Sequence, residues 1–184
     1  MIVLGEINNR EVLYVKHDLA TNWFKDFPKS NWLLFAITDR WLPEIFEEIS
    51  RRAVDNDVVY VCSTGDQAET FHHKIDDILV IRDVENEYLP SWQILTTYEN
   101  DLEEEFWYAT NCAFGESEEI IKIICLDITT TNHAEKLKDL IAKMKNGWLP
   151  EIQLTQTSEA KLDVGYKIEH LTSNIQHLIA KPRD

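Results

Sequence analysis

Val58-Val59-Tyr60-Val61-Cys62 is the stretch on which the reading of this chain turns. A short continuous apolar run rich in β-branched residues is what a strand covered on both faces looks like. Its counterpart upstream is Trp32-Leu33-Leu34-Phe35-Ala36-Ile37, again apolar without alternation. Between the two runs the period changes. Pro43 suits a first helical turn, and Ile45, Phe46, Ile49 and Ala53 then recur at helical spacing. Glu44, Glu47, Glu48, Arg51, Arg52 and Asp55 fall on the other side of that helix. Strand, helix, strand implies a crossover connection and a parallel pair.

The same alternation continues downstream. Asp66 is expected to cap the next helix, with Glu69 completing a capping box. That helix reads as short, with Ile78-Leu79-Val80-Ile81 as a further strand. Trp92 to Thr97 is the next strand, followed by a helix with Asn100 as cap and Leu102, Phe106, Ala109 and Ala113 on one face. Ile120 to Ile128 is the most strand-like segment of all. Asn132 and Glu135 then open a helix whose stripe is Leu137, Leu140, Ile141 and Met144, ended by Gly147. At the N-terminus, Ile2-Val3-Leu4 and Val12 to Val15 flank Asn8-Asn9, a hairpin with its turn at the asparagines. The expected fold is α/β: a three-layer, doubly wound, mostly parallel sheet with flanking helices, an N-terminal hairpin and a C-terminal amphipathic helix.

At 184 residues the chain suits one domain, with residues 1–30 as the hairpin region and 151–184 as an appendage. In that appendage Ile152 to Thr155 offers an edge strand. Ile168, Leu171, Ile175 and Leu178 form a helical stripe that packs on its own sheet or on a second copy, giving a homodimer. Trp-Leu-Pro-Glu-Ile occurs at 41–45 and again at 148–152, but the flanks differ, so this is chance reuse and not duplication.

Composition excludes several classes. With 33 acids against 18 bases and a net charge of -15, the surface repels a phosphate backbone, so nucleic acid is not the partner. No apolar run reaches the roughly 20 residues of a membrane span, and no signal-peptide pattern opens the chain. Three cysteines without a framework spacing fit the reducing cytoplasm. The charge is also segregated: residues 66–119 hold 15 acids and only two bases, Lys74 and Arg82. A solvated face and a docking surface for a cationic partner both account for such a block.

Ligands of open α/β sheets bind outside the carboxyl ends of the strands. The rim so defined includes Asp39, Arg40, Ser63, Thr64, Asp66, Thr97 and Thr130, with Thr129, Thr131 and His133 beside the last. It is rich in hydroxyls and carboxylates and poor in bases, and Gly65 alone makes no phosphate cradle, so no cofactor is expected. His72-His73 precedes Asp76 and Asp77. Adjacent helix positions diverge by about 100°, so a surface His72–Asp76 pair is expected and not a metal site. Neither Cys62 nor Cys112 has an evident base, and no Gly-x-Ser-x-Gly elbow exists, so no catalytic residue is assigned.

The densest feature is Glu99-Asn100-Asp101-Leu102-Glu103-Glu104-Glu105-Phe106-Trp107-Tyr108. The helix dipole explains some of these acids. The others, beside aromatics, mark Glu99, Asp101, Glu103, Glu104, Glu105, Trp107 and Tyr108 as a partner-binding surface.

From about residue 58 to 130 the chain resembles a family of small bacterial α/β proteins of unknown function. The residues that carry this are Val59-Tyr60-Val61-Cys62 with Gly65-Asp66, Thr96-Thr97-Tyr98 with Asp101, and Phe106-Trp107-Tyr108-Ala109 with Cys112-Ala113. The resemblance implies one α/β domain and no particular activity. The expectation for function is therefore a binding protein: an acidic module, foremost a stoichiometric inhibitor or immunity protein that neutralises a basic toxin such as a nuclease. A small α/β enzyme or small-molecule binder using the strand-end rim is the alternative, and an oligomerising structural subunit a third.

Overall fold

The computed structural model describes residues 1–18 and 24–150. The edge strand expected at 152–155, the amphipathic helix at 168–178 and the homodimer built on it lie outside the described residues. Ten elements follow one another: β1 (Ile2–Ile7), β2 (Arg10–Lys16), β3 (Trp32–Ile37), α1 (Pro43–Asp55), β4 (Val58–Thr64), α2 (Ala68–Glu85), β5 (Leu95–Glu99), α3 (Leu102–Asn111), β6 (Lys122–Asp127) and α4 (Ala134–Lys145).

The six strands form one sheet in the order β1-β2-β6-β3-β4-β5. Every neighbouring pair is parallel except β1 with β2. That exception is the expected hairpin. Asn8 and Asn9 both take positive φ, 50° and 61°, which a two-residue turn matched to the strand twist demands and asparagine tolerates. β3 and β4 are buried along their whole length, which explains their unbroken apolar sequence.

Helices cover both faces. Trp32, Leu34 and Ala36 of β3 join Phe46, Ile49 and Ala53 of α1 and Phe71, Ile75 and Ile78 of α2 in one core. Phe35, pointing the opposite way, meets Phe106 of α3 edge-on with ring centroids 5.2 Å apart. Each such fully buried side chain contributes roughly 1.5–3 kcal/mol.

Three sequence expectations are corrected. Ile78-Leu79-Val80-Ile81 is not a strand but the third and fourth turns of α2, whose buried positions Phe71, Ile75, Ile78 and Arg82 keep helical period across it. A short apolar run reads either way, and here the helical neighbours decide. Trp92 belongs to the connection before β5; its indole donates to the Val58 carbonyl at 3.2 Å. The caps also move by a residue. Asp66 is not the cap, since Gln67 is the N-cap of α2 and its side chain makes no capping bond. Asp101, not Asn100, caps α3, accepting from the Glu103 and Glu104 amides at 2.8 and 2.9 Å. Gly65 before α2 is required by packing: a Cβ there would stand 2.2 Å from the Thr38 carbonyl oxygen.

Candidate functional site

The connections from β3 and β6 leave adjacent strands toward α1 and α4, so the topological switch point lies between their carboxyl ends. The residues gathered there are Asp127, Tyr14, Lys16, Thr129 and His133. Asp127, fully buried at the end of β6, accepts from the Tyr14 hydroxyl at 2.6 Å and from Lys16 Nζ at 2.9 Å. It also accepts the Thr129 hydroxyl at 2.7 Å and the Thr129 amide at 3.0 Å. The His133 amide adds a bond at 3.1 Å, and His133 Nδ1 lies at 3.0 Å. Burial alone would raise the Asp127 carboxyl pKa, but the bonds from Tyr14, Thr129, Lys16 and His133 outweigh it and hold the group well below the usual range. Tyr14 shifts the other way, raised by burial and by the Asp127 carboxylate.

This cluster is a clamp. Both Asp127 oxygens are answered from within it, Lys16 also reaches the Thr129 carbonyl at 2.6 Å, and the carbonyl of Thr131 completes its shell. Asp39, from the β3–α1 connection, accepts the Thr130 amide at 3.1 Å and so spans the switch-point crevice. Arg40 pairs with Asp39 at 3.5 Å on the outside. The rest of the expected rim is similarly engaged. Ser63 and Thr64 are buried, the former bonded to the Ala68 carbonyl at 3.0 Å. Thr97 donates to Glu105 at 2.8 Å, and Asp66 stands exposed at the start of the α2 connection. Of the clamp, sequence reading named Thr129 and His133 but missed Tyr14, Lys16 and Asp127. Tyr14 and Lys16 sit more than 110 residues from Asp127 and carry no motif with it.

The partner surface expected at the start of α3 is only partly at the surface. Trp107 is 7% and Tyr108 6% exposed, and Glu105 is fully buried, so none of them is an exposed anchor. The reason is that α3 is covered on most of its circumference: Tyr108 meets Tyr60 of β4, their hydroxyls 3.0 Å apart. Burial pushes both phenols up. At the far end Arg10 donates to the carbonyls of Ala109 and Ala113 at 2.8 and 2.6 Å. Asp101 is occupied as a cap and Glu103 pairs with Lys136 at 3.3 Å, leaving Glu104 and Glu99 half-buried.

The acidic block has its open face elsewhere, along α2 and the edge strand β5. A groove of about 590 Å³ runs between them, lined by Leu79, Val80, Leu89, Trp92 and Leu95, with Asp76 and Asp83 on its wall. Val80 is 63% and Val84 74% exposed, and Ile81 lies beside them at 39%. Asp77, Asp83, Glu85 and Glu87 stand exposed around these apolar residues. Of the two bases in the block, Arg82 is buried and bonded to Asp55 at 2.7 Å, while Arg51 from α1 pairs with Glu87 at 3.5 Å. Sequence reading put its docking acids at Glu99 to Glu105 and took Val80 and Ile81 into a strand, so it did not single out this face.

Fold and surface together define an acidic α/β protein with a clamped strand-end rim and an apolar groove between α2 and β5. The chain belongs to the family described as a domain of unknown function (DUF7684), whose model matches residues 11–144. The match takes in the stretch 58–130 that carried the resemblance and extends it back to β2 and on through most of α4. No curated protein matches the chain, and no solved structure does. Among the described residues no helix is long and apolar enough to cross a membrane.

Proposed function

We propose that this chain is an acidic protein-binding module that takes a basic partner along the α2–β5 edge, in the manner of a stoichiometric inhibitor. The observation that carries the reading is the groove, where exposed Val80 stands between the carboxylates of Asp76 and Asp83, with exposed Val84 one helical turn on. Apolar anchors bury area and carboxylates steer a cationic partner, which is the division of labour of a specific interface. Among the described residues β5 is the last strand of the sheet, and the backbone groups on its outer side suit an extended segment. The strand-end rim supports an enzyme less well, since its carboxylate is saturated by Tyr14, Lys16, Thr129 and His133. A basic toxin such as a nuclease is the partner that best fits an inhibitor of this charge.

The test is a comparison of baits. Immobilised parent protein and a Val80→Asp, Val84→Asp variant are presented with the same source lysate, and the captured basic protein is then purified and its binding measured. The variant is expected to fold as the parent does, because both side chains are exposed, and to bind that protein at least tenfold more weakly. Equal affinity for both baits would overturn the assignment of this edge.

A further inference from the structure

Glu69, His72, His73 and Asp76 occupy positions i, i+3, i+4 and i+7 of α2, a single stripe of the helix. His72 and His73 leave the helix about 100° apart, on either side of the midline of this stripe, and their long side chains still bring donor atoms close together. One donor atom from each of His72, His73 and Asp76 lies within 4.8 Å of the others. His72 Nε2 is 3.3 Å from Asp76 Oδ2, and His73 Nε2 is 3.8 Å from Glu69 Oε1. Around a tetrahedral zinc with bonds of about 2.0–2.1 Å, donor atoms stand roughly 3.3 Å apart. His72 and Asp76 already have that spacing, and His73 is an exposed side chain with room to rotate.

The neighbours hold two of these donors in place. Thr96 of β5 donates to Asp76 Oδ1 at 3.0 Å, which leaves Oδ2 directed at His72. The Tyr98 ring lies against the His72 imidazole with centroids 5.0 Å apart, and its hydroxyl reaches Glu69 at 3.4 Å. Outer partners that orient ligands in this way are a regular part of metal sites. Two imidazoles and one carboxylate select a borderline transition cation over calcium or magnesium. We propose that His72, His73 and Asp76 bind one zinc ion on the flank of α2 beside β5, with a fourth position open to solvent. The site shares Asp76 with the groove wall, but its zinc affinity does not depend on any docked partner.

Zinc chloride titrated into the metal-free full chain, followed by calorimetry, tests this without any partner. The expected result is one saturable equivalent with a dissociation constant in the micromolar range, weakened at least tenfold in His73→Ala and in Asp76→Asn. Cobalt(II) in place of zinc should give the intense visible absorption of a tetrahedral site in the parent and not in His73→Ala. His73→Ala should melt at the parent's temperature in the metal-free state, because the side chain is exposed. Absence of saturable binding up to millimolar zinc would overturn the proposal. So would one equivalent bound undiminished by His73→Ala, since that ion would sit elsewhere.

Discussion

Asp127 shows how much a single residue can organise in this fold. A buried carboxylate is costly unless it is fully paired, and here Lys16 supplies the charge while Tyr14, Thr129 and His133 supply the remaining bonds. Asp127→Asn removes the charged acceptor, while Lys16, a third exposed, keeps the Thr129 and Thr131 carbonyls, and should cost about 1.5–3 kcal/mol at neutral pH. The pH dependence has a definite sign. A carboxyl held below its ordinary value near 4 contributes stability above that value and loses it as pH falls through the folded-state pKa. Denaturant unfolding of the parent should therefore weaken progressively below about pH 4, and Asp127→Asn should lack that part of the decline. Parallel stability profiles of the two proteins between pH 7 and 3 would show that Asp127 is not the clamp.

At the scale of elements, the caps separate what was legible from what was not. The Asn8-Asn9 turn, the buried β3 and β4 runs and the α1 stripe could be read because local physics alone specifies them. The residue that caps α3 could not, because Asn100 and Asp101 are both good caps and only the backbone geometry chooses between them. Asp101→Ala should cost about 1 kcal/mol, whereas Asn100→Ala should be close to neutral, as thermal or denaturant unfolding would show. Equal losses would mean that the cap is shared. The extent of α2 was hidden for a different reason. Its last turns are apolar on the solvent side as well as the core side, so Ile78 to Ile81 mimics a strand. That departure from an amphipathic pattern is also what exposes Val80 and Val84 beside the groove. The Asp127 clamp was illegible for a third reason: its members converge from β2, β6 and the turn into α4, and only tertiary structure brings them together.

For the whole molecule, the distribution of charge matters more than its total. The acids of residues 66–119 were plain in the sequence, but their use depends on which are exposed. α3 spends Asp101 on its cap and buries Glu105, while α2 leaves Asp77, Asp83 and Glu85 in solvent beside apolar side chains. A field of this kind raises the rate of encounter with a cationic partner and is screened over about 10 Å at 0.1 M salt. It adds little to stability, so reversing Asp77, Asp83 and Glu85 to Lys should leave the fold intact. The association rate of the captured basic partner with the parent and with this triple variant, measured across ionic strength, tests the central claim most directly. The account predicts association at least tenfold slower for the variant at low salt, with the two rates converging as salt rises. Equal rates for parent and variant at low salt would contradict it.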